Sequence, residues 1–207
     1  PEIEYVRVKS FNPYSGQEAI YIVAKPLVST WFNPKAEGLA FDDYKKGDKL
    51  VPFKVLDGVF KGKELTGIRY HQLIPWFKPL DEGAFRVISG DYVSVDEGTT
   101  GIVHIAPTFG ADDKRVAEAA GIPPLMVVDK DGFRQAQVDH DGRFYRYEDL
   151  DPEYVSTHVA PEYKEFAGRY VKNAFDDSIP ADAPTLDVDL CMMMKMDGRA
   201  FRIQKHV

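Results

Sequence analysis

Prolines and glycines interrupt this chain throughout, fourteen and sixteen of them along 207 residues. Proline removes a backbone donor and glycine loses most entropy on ordering, so long helices are disfavoured. Between the breakers apolar residues recur with a period of two, the pattern of half-buried strands. Residues 5–9 and 19–23 alternate in this way around Asn12, Pro13 and Gly16, and read as a hairpin with a long loop. Short strands follow at 53–56, 65–70, 85–88, 92–95 and 101–105, then 125–128 ahead of a turn at 129–132. A short helix at 27–32 is confined by Pro26 and Pro34, and the clearest helix, 112–120, is closed by Gly121 and the Pro123–Pro124 pair. Residues 162–175 have some helical character, 190–194 and 200–203 read as a closing hairpin, and 144–162 reads as a solvated, variable loop. The expected architecture is α+β, mainly β, with a closed or half-closed barrel and a few covering helices.

Length and composition bound the rest. At 44% hydrophobic and 29% charged the chain has the make-up of a packed globular domain, which excludes a disordered, collagenous or disulfide-scaffold reading. The net charge of −7 argues against a protein whose main task is gripping nucleic-acid phosphates. Cys191 is the single cysteine, so no internal disulfide exists and a reducing, cytoplasmic setting is expected; within the apolar run 190–194 it reads as a small buried hydrophobe. No run approaches the roughly 20 apolar residues of a membrane span, so no membrane partner is expected. The chain opens on Pro1 almost directly into a strand and stops in mid-strand, which reads as residues 1–207 forming one domain excised from a longer chain.

Nucleophile elbows, Walker and dinucleotide glycine signatures, and zinc-ligand spacings are absent. The histidines at 71, 104, 140, 158 and 206 are scattered, and no metal is expected; 139–141 reads as a hydrated turn. One segment stands out, 98–113. It runs from the hydroxyl-bearing turn of Thr99, Thr100 and Gly101 through a strand carrying His104. Ala106, Pro107, Phe109 and Gly110 follow in a constrained loop, then Asp112 and Asp113 at the mouth of a helix. Two readings stay open from the residues alone. Asp112 caps the helix for about 1 kcal/mol, Asp113 complements its dipole, and His104 is a core histidine; or the loop and helix mouth form a ligand site, with Gly110 allowing close backbone approach.

The segment resembles the editing domain of the class I aminoacyl-tRNA synthetases for branched aliphatic amino acids. His104 followed by Ala106, Pro107, Thr108, Phe109, Gly110, Asp112 and Asp113 is similar to the isoleucyl type rather than the valyl or leucyl one. Further matches lie at 19–24, 60–67, 129–133, 166–169 and 201–206. The resemblance implies a β-barrel-like editing domain that hydrolyses valine wrongly attached to isoleucine tRNA, and valyl-adenylate as a further substrate. The need for it is physical. One methylene is worth only about 1–3 kcal/mol, a generalisation drawn in part from these very synthetases, so a second and smaller sieve must remove valine.

Carried over by position, Asp113 is the implied catalytic-site carboxylate that holds the substrate's α-ammonium group, and His104 the residue beside the amino-acid pocket. Thr99, Thr100, Gly101, Ala106, Phe109 and Gly110 are the implied substrate-binding residues, Thr99 being one residue more than the family pattern has. The implied partners are the acceptor end of the tRNA carrying valine and the remainder of a parent synthetase. No cofactor belongs to this domain, ATP and Mg being used by the parent's ligase site. Lys45, Lys46, Lys61 and Lys63 are the local cations expected to meet the acceptor strand, which reconciles the acidic net charge with RNA. The family's threonine-rich segment ahead of the first strand has no counterpart; residues 28–32 match it neither by position nor by pattern, and the chain is read as starting downstream of it. The alternatives are a non-catalytic β-barrel module that docks tRNA, or a valyl or leucyl editing domain.

Overall fold

The computed structural model describes the chain except for residues 97, 173–176, 181–182, 184–185 and 204–207. It is a mixed α/β structure that divides into two compact units. The first comprises 1–68, 87–104 and 191–207, the second 69–86 and 105–190.

The first unit is built on an antiparallel sheet ordered β2-β1-β3, with β1 at Glu4–Phe11, β2 at Glu18–Ala24 and β3 at Phe53–Lys61. The hairpin expected from the alternation at 5–9 and 19–23 forms, in a register that pairs Tyr5 with Ala24 and Phe11 with Glu18. Val6, Val8 and Val23 on one face of the hairpin, and Tyr5 and Ala24 on the other, are all buried, in a cluster with Leu27, Phe32, Ala36, Phe53 and Leu65. A register shift between Val6 and Val8 lets β3 bend, and Gly58 sits there at φ +96°. The short helix α1 (Val28–Trp31) follows a 3-10 turn at Lys25–Leu27, as the flanking prolines require.

Asn12 is buried in the loop between β1 and β2 and uses its whole amide. Its Oδ1 accepts from the backbone N–H groups of Tyr14 and Ser15, each at 2.9 Å, while Nδ2 donates to the carbonyls of Gly198 and Ala200, also at 2.9 Å. Phe201 then packs on Tyr21 and Phe32, and the Arg202 guanidinium lies 4.7 Å above the Trp31 ring.

An aromatic cluster fills the second unit: Trp76, Phe77, Phe144, Tyr147, Tyr163 and Phe166. Tyr163 is fully buried, with its hydroxyl donating to the Tyr145 carbonyl at 2.5 Å. The unit also holds helix α2 (Ala111–Ala119), a two-stranded ribbon of β4 (Val127–Val128) and β5 (Arg134–Gln135), and helix α3 (Pro152–His158). Two turns of one design flank β5. Asp129 Oδ1 accepts from the N–H groups of Asp131 and Phe133, and Asp139 Oδ1 from those of Asp141 and Arg143. A glycine at positive φ, Gly132 or Gly142, closes each turn.

Several expectations are corrected. Among the described residues no closed barrel forms; the sheets are one of three strands and one of two. The stretches at 65–70, 85–88, 92–95 and 101–105 are not strands of a ladder. Around 67–70 and 85–87 pairing amounts to isolated bonds, Gly67 N–H to Val87 O, Val87 N–H to Ile68 O and Tyr70 N–H to Phe85 O. The 190–194 segment is no hairpin strand but part of helix α4 (Leu186–Met196), within which the boundary between the units falls. Cys191 is half-buried there rather than enclosed. The 144–162 stretch holds α3 instead of a loop, and the helical character expected at 162–175 is a 3-10 turn at Pro161–Glu165, with 173–175 outside the described residues. The 204–206 end of the last family match, His206 included, also lies outside them.

Candidate functional site

In the first unit, three consecutive carbonyls dock the threonine turn on the sheet. Thr99 O accepts from the Trp31 indole N–H at 2.7 Å, Thr100 O from the Ala24 N–H at 3.1 Å, and Gly101 O from the Tyr5 hydroxyl at 2.5 Å. The side chains serve the turn itself: Thr99 Oγ1 donates to Asp96 O, and Thr100 Oγ1 donates to Ile102 O while accepting from Ile102 N–H. Gly101 is buried at φ +77°, and a Cβ there would stand 2.6 Å from Ala24 Cβ. Both the left-handed backbone and the close approach demand glycine. His104 follows, exposed, with no hydrogen-bond partner among the described residues.

In the second unit, residues 106–110 form a tight turn in which the N–H groups of Phe109 and Gly110 both point to Ala106 O, at 3.0 and 3.1 Å. Thr108 Oγ1 ties the turn to Leu125 O at 3.2 Å, just ahead of β4. Gly110 is the N-cap of α2 and offers no side-chain cap. Asp113, in the first turn of the helix, reaches back and accepts the Ala106 N–H on Oδ2 at 3.0 Å. A Cβ at Gly110 would lie 2.8 Å from that same oxygen, so glycine leaves the carboxylate its place. Oδ1 of Asp113 has no protein donor among the described residues. The helix N-terminus behind the half-buried carboxylate complements its charge. Asp112 is exposed and pairs loosely with Arg115 at 3.7 Å. At the far end of α2 the Arg86 guanidinium donates to Ala120 O at 2.5 Å, where the dipole favours a cation.

The residues singled out from sequence thus fall in two groups. Thr99, Thr100, Gly101 and His104 belong to the first unit; Ala106, Phe109, Gly110 and Asp113 belong to the second. Phe109 was expected as pocket wall and is 61% exposed. Asp113 is neither a helix cap of its own first turn nor a fully free carboxylate: one oxygen fastens the 106–110 loop and the other has no protein donor among the described residues. The Gly110 to Asp113 spacing signals that close approach, but not the identity of the backbone partner. At 139–143 the Asp139 carboxylate is committed to its own turn. Among the described residues no group of three or more His, Cys, Asp or Glu side chains is placed to hold a metal ion. No helix among them is long and apolar enough to cross a membrane.

No family model matches the chain. It is similar, end to end, to isoleucine–tRNA ligases: 54% identical over 208 residues to that of Bacteroides fragilis and 54% over 207 residues to that of Porphyromonas gingivalis. The ligase of Cytophaga hutchinsonii is 43% identical over 214 residues. These alignments cover 99–100% of this chain but 18% of each relative, so the chain spans about a fifth of their length. By sequence, the chain is a relative of one segment of the isoleucine–tRNA ligases.

Proposed function

We propose that residues 1–207 are an editing domain of the isoleucine–tRNA ligase type, which hydrolyses the ester of valine misattached to isoleucine tRNA. The observation that carries this reading is the Asp113 carboxylate. Oδ2 holds the loop at Ala106 while Oδ1 is left for a ligand cation, and both sit at a helix N-terminus in a chain related to these ligases. A free amino acid ester carries one cationic group, its α-ammonium, and a charge-assisted bond to a carboxylate is about twice as strong as a neutral one. Hydrolysis further needs a placed water and donors for the developing oxyanion. In the second unit Phe109 offers an exposed ring to a base or ribose; in the first, His104 and the threonine turn are the residues that the family resemblance assigns to the substrate. The tRNA, the remainder of a ligase and a cytoplasmic setting are the proposed partners and place. The domain itself uses no cofactor in this reading.

The test is deacylation of valyl-tRNA against isoleucyl-tRNA by a full-length ligase carrying this segment. Asp113→Asn keeps an oxygen for the Ala106 N–H but removes the charge, whereas Asp113→Ala removes both. The reading expects valine-selective hydrolysis that drops at least about 100-fold in both variants, the ammonium contact being worth roughly 2–3 kcal/mol. Thermal stability should fall only in Asp113→Ala. Absence of valine selectivity, or full activity in Asp113→Asn, sinks the catalytic reading and favours a module that only docks tRNA.

A further inference from the structure

Helix α2, which carries Asp113, has little apolar grip of its own. Of its nine described residues Ala117 alone is buried, with Val116 half-buried beside it. A short helix with so narrow an apolar face depends on what holds its ends. At the front, Asp113 Oδ2 takes the Ala106 N–H. At the rear the chain closes in a turn at Gly121, whose N–H donates to Glu118 O while Ile122 N–H donates to Ala117 O. The carbonyls of Ala120 and Gly121 remain, and Arg86 of the same unit takes them, Nη2 donating at 2.5 and 3.4 Å. The segment leading to Arg86 lies close to the same turn: a Cβ on Gly83 would meet Gly121 O at 3.5 Å and Pro123 Cδ at 3.7 Å.

Two features of this seat count against stability. Phe85 stands at φ +56°, in the left-handed region, and among the described residues no other non-glycine does so. Its carbonyl is held there by the Tyr70 N–H at 2.9 Å. Arg86 Nε is buried with no hydrogen-bond partner among the described residues. Backbone strain and orphaned donors persist where the surroundings over-determine them, and they gather at functional sites.

We infer that Arg86 is a positioning residue for ester hydrolysis: by gripping the rear of α2 it fixes the helix axis, and with it the place of the Asp113 carboxylate. Arg86 in this role rests on the editing reading of Asp113 and extends it. Ala120 lies seven residues beyond Asp113, about 10 Å along the helix. Two holds that far apart define a direction, whereas the Ala106 bond alone is a pivot. A shift of about 1 Å at a group that orients the substrate is enough to cost about 100-fold in rate.

Deacylation of valyl-tRNA by a full-length ligase carrying this segment tests it, together with hydrogen exchange of α2 read by mass spectrometry. Arg86→Met keeps the length of the side chain and loses its donors, whereas Arg86→Lys keeps a donor. In Arg86→Met, kcat/KM for valyl-tRNA should drop at least about fivefold. The amides of 114–120 should exchange at least about fivefold faster in that variant. Arg86→Lys should stand closer to wild type in both. Because Arg86 acts through Asp113, adding Arg86→Met to Asp113→Asn should lower kcat/KM by less than about twofold more. A smaller drop or smaller change in exchange in Arg86→Met, no recovery in Arg86→Lys, or losses that multiply in the double variant overturns the proposal. A valine-selective wild type that Arg86→Met matches leaves the editing reading standing and removes Arg86 from it. A wild type without valine selectivity removes both.

Discussion

Gly101 is the position where a single methyl group should do most damage in the first unit. Its φ of +77° would cost an alanine about 1–2 kcal/mol of left-handed strain. The added Cβ would stand 2.6 Å from Ala24 Cβ and 3.5 Å from Tyr5 Cε1, and both neighbours are buried in the core. Overpacking of that kind costs about 1–3 kcal/mol, partly offset by the roughly 0.4–1 kcal/mol that alanine takes from the unfolded chain's freedom. Gly101→Ala should therefore lose about 2–4 kcal/mol, or about 5–15 °C in Tm for a chain this long. Urea unfolding followed by Trp31 fluorescence is the assay, because the indole N–H bonds Thr99 O in the same turn. Replacing Trp76 by Phe removes the other tryptophan signal. The steric and backbone parts separate in a double-mutant cycle with Ala24→Gly. That change removes the facing methyl and should return about 1–2 kcal/mol of coupling, leaving the left-handed strain. A loss below about 0.5 kcal/mol for Gly101→Ala, or no coupling to Ala24, would refute the close-approach argument.

Other expectations are as concrete. Asn12→Ala removes four hydrogen bonds and strands two carbonyls, so it should cost about 2–4 kcal/mol and expose the 198–203 segment first in hydrogen exchange. Gly110→Ala should push the Asp113 carboxylate off the Ala106 N–H, lowering the urea midpoint by an amount worth about 1–2 kcal/mol and cutting any Asp113-dependent activity with it. Burial holds the Tyr154 and Tyr163 hydroxyls well above the usual tyrosine range. Their folded-state pKa is raised, so their contribution is complete below about pH 10 and is lost as pH climbs beyond it. Absorbance at 295 nm should show two tyrosines ionising only together with alkaline unfolding; titration of all eleven before unfolding would contradict this.

The parts of the fold that were legible from sequence are those whose signal is local. The β1–β2 hairpin declares itself by alternation around Asn12 and Gly16, and α2 by its acidic start and its Gly121 stop. Helix α3 has a local signal too: Asp151 followed by Pro152 is a cap-and-first-turn pattern, and Asp151 accepts the Tyr154 N–H at 2.8 Å. The run 190–194 reads as a strand although it is helical, because a short apolar stretch has no period of its own. Its Leu and Met residues favour helix, and 185–197 is the longest stretch of the chain free of Pro and Gly. The extended segments at 92–95 and 101–105 look like strands in composition, but pairing is a tertiary fact. The turn at 99–101 spends its carbonyls on Trp31, Ala24 and Tyr5 instead of on a neighbouring ladder. The hold of Asp113 on Ala106 depends on a loop conformation that no spacing encodes.

The Asn12 latch also sets an order of events. The first unit is assembled from three separated stretches, and the residues that Asn12 grips lie 186 and 188 positions further along the chain. The second unit needs nothing after residue 190, and its twin aspartate turns close within five residues each. During synthesis at about 5–20 residues per second, the Asn12 amide waits about ten seconds or more until residues 198–200 arrive. The inserted unit has by then been fully made. The first unit is thus made both before and after the second, and of its elements β1 and β2 wait longest for their last partners.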